Sequence, residues 1–160
     1  MTCLKRCGKA VVAGLMMVAL AVPALAAEVS TKYFTIDLPD GWTQPQPVQE
    51  ANGAVMAIFQ NTKDGSAVTL TIAPAPMSAK DVAEQTVANM KQGGLEASAP
   101  VKKDGIYETT FAQGPGKGVS YFGSNGKEFA VTTILGSTTE TGKEFLKNLK
   151  PKDDKLFPRF

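Results

Sequence analysis

The sequence predicts an α+β domain, an antiparallel meander sheet with two helices packed against it. Three observations carry this. Four dipeptides, Asn52-Gly53, Asp64-Gly65, Asp104-Gly105 and Asn125-Gly126, each lie between segments rich in β-branched and aromatic residues. Such pairs accept the positive φ that tight hairpin turns require. Apolar and polar residues alternate in several of the flanking segments, the signature of half-buried strands. Only two segments switch to a helical period, and strands that come in runs favour an antiparallel sheet.

The elements follow in order. The first strand spans Tyr33 to Leu38, with Phe34, Ile36 and Leu38 on one face; Pro39-Asp40-Gly41 stops it and Trp42 follows. Strands Val55 to Asn61 and Ala67 to Ala73 flank Asp64-Gly65, and Pro74 and Pro76 end the pairing. A helix starts at Ser78, an N-cap with Asp81 three residues on. Ala79, Val82, Ala83, Thr86, Val87 and Met90 form its apolar stripe, and Gly93-Gly94 stops it. Strands Leu95 to Val101 and Ile106 to Gln113 flank Asp104-Gly105. After the loop Gly114-Pro115-Gly116, strands Gly118 to Gly123 and Glu128 to Leu135 flank Asn125-Gly126. A second helix begins near Thr139 to Thr141, where Thr141 and Glu144 fit a capping box; Phe145, Leu146 and Leu149 are its apolar side and Pro151 closes it. Two short helices do not easily cover two faces, so both are expected on one side of the sheet. The tail from about residue 151 is charged and expected to be loosely held.

The opening residues read as a targeting segment. Lys5, Arg6 and Lys9 precede an apolar run from Ala10 to Val22, and Ala24-Leu25-Ala26 supplies the small-x-small pattern of a cleavage site. The run is shorter than the roughly 20 apolar residues a spanning helix needs. Residues 1–26 are therefore expected to be a secretory signal peptide, and residues 27–160 a single exported periplasmic domain with no transmembrane segment. Cys3 and Cys7 leave with the signal, so the mature domain has neither cysteine nor histidine. Lys+Arg falls from 17 to 14 while all 15 acids stay, which moves the net charge from +2 to −1. A near-neutral surface gives no electrostatic case for nucleic acid. Without imidazole or thiol, transition-metal and haem ligation are not expected, nor is a histidine-activated nucleophile; no metal and no cofactor are expected.

The remaining chemical candidates have plainer explanations. Ser78 beside Lys80 is better used as a helix cap. Asp153-Asp154 sit in a charged tail rather than across a cleft. Gln113 to Gly118 contains Lys117, but Gly118 follows it where a phosphate-binding loop needs Ser or Thr and a helix. The terminal Phe160 lacks the ten alternating residues that precede it in outer-membrane barrels. What is left is aromatic: Trp42, Tyr121 and Phe122 are the candidate binding residues. Tyr121 and Phe122 are strand neighbours and so point to opposite faces.

The motif formed by Phe34, Ile36, Leu38, Pro39, Gly41 and Trp42, followed by hairpins, a mid-chain helix, a second meander and a final helix, resembles the PsbP-like fold, which includes bacterial periplasmic proteins of the DcrB type. The resemblance covers about residues 32 to 150. It implies an α-β-α or two-layer sandwich and a non-enzymatic binding or assembly role; the histidine-based metal site of the plant-type members has no counterpart. The expectation is thus a non-catalytic envelope binding or assembly module, whose partner is an envelope protein or a small envelope ligand. The alternatives are a small hydrolase working through carboxylates and hydroxyls, and a carrier of a small amphiphile.

Overall fold

A computed structural model describes residues 27–160; the expected signal peptide lies outside the described residues. The chain forms a large antiparallel sheet of nine strands, a small three-stranded sheet and two helices. The small sheet is β1 (Glu28–Ser30), β2 (Phe34–Asp37) and β12 (Leu149–Pro151), with β2 central. The backbone of the large sheet is β5 (Ala54–Asn61), β6 (Ala67–Pro74), β11 (Glu128–Gly136), β10 (Gly116–Ser124) and β9 (Ile106–Gln113), side by side in that order. Short strands β3 (Trp42–Thr43) and β4 (Gln49–Ala51) pair with β5 at one edge; β7 (Glu96–Ala97) and β8 (Val101–Lys103) pair with β9 at the other.

All four Asn-Gly and Asp-Gly pairs sit in turns, by two routes. At Asn52-Gly53 and Asp104-Gly105 both residues have positive φ (51° and 79°, 49° and 84°), as a type I′ turn requires. At Asp64-Gly65 and Asn125-Gly126 only the glycine does, and the acidic or amide side chain ties the turn. Asp64 Oδ1 accepts from Ser66 N at 2.9 Å, and Asn125 Oδ1 accepts from Lys127 N and Glu128 N. Within the loop expected at Gly114-Pro115-Gly116, Gly114-Pro115 is a two-residue hairpin turn with Gly114 at φ 58°, and Gly116 already pairs with Gln113.

The register sorts the side chains. Ala57, Leu70, Thr132, Tyr121 and Glu108 lie in one rank on one face; Met56, Thr71, Val131, Phe122 and Tyr107 lie in the next rank on the other. The first face carries the main core. Phe59, Val68, Ile72 and Ile134 pack there under Phe34 and Ile36 of the small sheet, Phe145 of the second helix, and Leu156 and Phe157. Four of the five fully buried phenylalanines lie on this side, each contributing roughly 2–3 kcal/mol.

The helices occupy opposite faces, contrary to the expectation that both lie on one side. Helix α1 (Ala79–Gln92) sets Val82 and Ala83 against Phe122 on the second face. Helix α2 (Glu140–Leu146) lies on the first, so close that a Cβ on Gly142 would overlap Ile134. The physical reason is economy of area. The small sheet and the final segment already cover much of the first face, leaving α1 to cover β9 and β10 from behind. Helix α1 otherwise follows its sequence: Ser78 Oγ accepts from Asp81 N at 3.1 Å, and Gly94 at φ 82° ends it.

Three further expectations are corrected. The strand read over Leu95 to Val101 is broken into β7 and β8, because Pro100 cannot donate to the ladder and Ser98 is drawn aside to bond Thr109 and Thr110. The Thr141–Glu144 capping box does not form; Thr141 Oγ1 donates to Asp64 Oδ2 at 2.8 Å, and α2 ends before Leu149, which joins β12. The tail is not loose up to Phe157. Lys152 N donates to Tyr33 O at 2.9 Å, Asn125 Nδ2 donates to Asp153 Oδ2 at 2.9 Å, and Leu156 and Phe157 are buried. An apolar pair among charges was enough to dock it.

Candidate functional site

The first face is not covered to its end. Beyond the small sheet, β9 and β10 present Ile106, Glu108, Val119 and Tyr121 as the floor of an open groove. One wall is α2, through Lys143; the other is the segment from Asp154 to Phe160, and the β8–β9 turn with Lys103 and Asp104 closes one end. The deeper part has a volume of about 750 Å³, and a shallower depression of about 620 Å³ continues from it past Glu108 and Lys143. That is within the size range of small-molecule sites.

Tyr121 is the centre of the deeper part. Its side chain is 6% exposed, its ring meets Phe160 edge-on at a centroid distance of 5.3 Å, and its hydroxyl has no hydrogen-bond partner among the described residues. Burial pushes the Tyr121 hydroxyl well above its ordinary range, and the carboxylates of Glu108 and Glu140 push it the same way. It is therefore a protonated donor near neutral pH. Phe160 is 43% exposed, a large aromatic side chain held at the rim.

The acids of the groove do not form a pair on its floor. Glu108 is the one carboxylate among the floor residues Ile106, Glu108, Val119 and Tyr121. Asp104 sits in a type I′ turn, and Asp154 is engaged by Arg159 at the surface. Among the described residues, no group of three or more His, Cys, Asp or Glu side chains is placed to hold a metal ion. No described helix is long and apolar enough to cross a membrane.

The other two predicted residues lie elsewhere. Trp42 is 8% exposed and stacks on Phe145 at 3.9 Å with 18° between the planes, so it packs α2 onto the sheet edge. Phe122 is fully buried beneath α1 and offers a ligand no surface. The opposite-face reading of Tyr121 and Phe122 holds, and of the three residues only Tyr121 reaches the groove. Sequence reasoning missed Ile106, Glu108, Lys143, Phe157 and Phe160 as groove residues. They come from β9, α2 and the final segment, and no local spacing links them.

A second surface is set by the register on the α1 side. Across β5, β6 and β11 the ranks are Met56–Thr71–Val131, Ile58–Thr69–Thr133 and Gln60–Ala67–Leu135. None of these is charged, and all but the exposed Gln60 are half-buried. Three strands spaced ~4.8 Å apart and about eight residues long give a footprint of roughly 400 Å², within the ordinary patch size of a monomer. It is half of the roughly 800 Å² per partner that a stable complex buries.

No protein-family model matches the chain, and no curated protein matches it. Among solved structures it is similar to a protein of Bacteroides thetaiotaomicron VPI-5482, whose crystal structure was determined at 1.50 Å. The TM-score is 0.39 and the identity 11%, over 76% of this chain and 46% of the other, so the chain spans less than half of that neighbour. A likeness of this degree identifies neither fold nor function.

Proposed function

We propose that the chain is an exported periplasmic binding module that holds a component of the cell envelope without transforming it. The observation that carries this reading is the open groove on the first face, with its apolar and aromatic floor and the unpartnered hydroxyl of Tyr121. Recognition needs concavity, apolar area and a few convergent polar groups, and the groove has all three. A hydrolase built from carboxylates needs two free ones across one cleft; Glu108 on the floor and Glu140 on α2 both act on Tyr121, but Glu140 is exposed and held by Lys143 at 2.7 Å. A carrier of a small amphiphile needs an enclosed apolar cavity; the space between the two sheets is filled by Phe34, Phe59, Phe145 and Phe157. The resemblance to PsbP-like and DcrB-type proteins points to the same non-enzymatic role. A second reading, an assembly module, is favoured by the uncharged strip on the α1 side.

A pull-down separates the two surfaces. Tagged protein, exported with its own leader, is expected to retain an envelope component that the groove-blocking variant Glu108→Arg loses at least tenfold, while Ile58→Lys on the strip retains it. The reverse pattern would assign the role to the strip. Recovery of nothing at any salt concentration would remove the binding reading.

A further inference from the structure

We propose that the floor of the groove is an aromatic subsite that takes an aromatic side chain of a peptide, and that Phe160 is its built-in occupant, displaced when the peptide binds. The inference rests on the groove being the binding surface and adds the chemistry it reads. Three observations carry it. Phe160 already makes the contact, ring edge to ring face with Tyr121 at 5.3 Å and 80°, yet remains 43% exposed. A half-exposed ring on a single aromatic contact is a replaceable occupant, unlike Phe157 beside it, which is 2% exposed and locked against Phe34. The Tyr121 ring is buried, while its hydroxyl opens onto the groove and makes no hydrogen bond among the described residues. A ligand that brings an acceptor gains one bond there.

The charges narrow the acceptor. Glu108 and Glu140 are the carboxylates that act on the Tyr121 hydroxyl, and they repel a carboxylate placed there. Lys143, which faces the same space, is held by Glu140 at 2.7 Å. Lys103, Lys155 and Arg159 line the same groove, so its charge is mixed overall; beside Glu108 and Glu140 a neutral carbonyl is favoured over an acid, and a backbone amide next to an aromatic side chain supplies one. Residues Pro158, Arg159 and Phe160 are themselves such a peptide, lying in the groove they line.

The strap and the ligand compete for one place, so removing the strap raises apparent affinity by the inverse of the fraction of time the subsite is free. N-acetyl-phenylalaninamide is the probe, titrated into ¹⁵N-labelled protein and followed by amide NMR. Phe160→Ala is expected to bind it about two- to tenfold more tightly than the wild type, the range an edge-on aromatic contact supports. Shifts should centre on Ile106, Glu108 and Tyr121, and Tyr121→Phe, which keeps the ring, should weaken binding in the Phe160→Ala background. N-acetyl-leucinamide should bind several-fold more weakly. Equal or weaker binding by Phe160→Ala, shifts centred elsewhere, no binding at millimolar probe, or equal response to leucinamide would each overturn the subsite. Phe160 is exposed enough that its variant keeps the fold, which the unshifted remainder of the spectrum checks. Failure here with the envelope pull-down intact would remove the aromatic subsite and leave the binding module standing.

Discussion

Phe145→Ala is expected to destabilise the domain by about 3–5 kcal/mol, the usual cost of emptying a phenylalanine site in a packed core. The side chain is 1% exposed, stacks on Trp42 at 3.9 Å and meets Phe59 at 5.2 Å. Its removal leaves a void between three elements, and no neighbour is free to fill it. Helix α2 has seven residues and no side-chain cap bond at Thr139, so it has no stability apart from this docking. The loss should therefore be local as well as global. Amides of residues 140–146 should exchange at rates close to those of free peptide, and the groove loses the wall that carries Lys143. Urea unfolding measures the global part, with a fall in Tm of roughly 10–20 °C for a domain of this size. Lys147→Ala, on the exposed end of the same helix, should change stability by less than about 0.5 kcal/mol. A Phe145→Ala cost below about 1.5 kcal/mol would show that α2 is not held as described.

Gly123→Ala tests the other wall. A Cβ at Gly123 would stand 2.6 Å from the carbonyl oxygen of Lys155 and overlap the backbone of Leu156. The obstacle is main chain, not the end of a flexible side chain, so the segment must move away from β10. Gly123 has no positive φ, and the effect is therefore steric alone. Overpacking of this kind costs about 1–3 kcal/mol, and more where backbone is displaced. Leu156 and Phe157, buried beside it, would lose their places. The expected result is at least about 3 kcal/mol of destabilisation, together with protease cleavage after Lys155. Loss of the Asn125–Asp153 hydrogen bond should then follow. That bond, with Lys155 N–H, holds the Asp153 carboxyl below its ordinary range. Wild-type stability in Gly123→Ala would contradict the close seating of the segment on the sheet.

The sheet was legible because its signals are local. Alternation in Val68-Thr69-Leu70-Thr71-Ile72 and turn chemistry at Asn52-Gly53 and Asp104-Gly105 each act within a few residues, and both appear in place. The α1 stripe and the Ser78 cap are local too. What escaped depends on partners far away in sequence. Thr141 has a capping partner three residues on, but Asp64, on the turn between β5 and β6, takes its hydroxyl instead. Leu149 continues a helical spacing, but it pairs with Ile36, and Pro151 with Phe34, in a strand ladder. The choice of face for each helix depends on how much of the sheet other elements leave bare, which no window of sequence contains. The groove was visible only through Tyr121, as a consequence of its opposition to Phe122. Its remaining residues are brought together by the β9–β10 pairing and by the docking of Leu156 and Phe157.

The proposed role requires the groove to hold an envelope component and return it unchanged. The most direct measurement is to incubate the protein comprising residues 27–160 with an envelope extract, isolate what co-purifies, and compare its mass before and after prolonged incubation with fresh protein. A bound component of unaltered mass, whose retention is lost in Glu108→Arg, is the expected result. A new product that accumulates over many turnovers, and whose formation stops in Glu108→Gln, would contradict it.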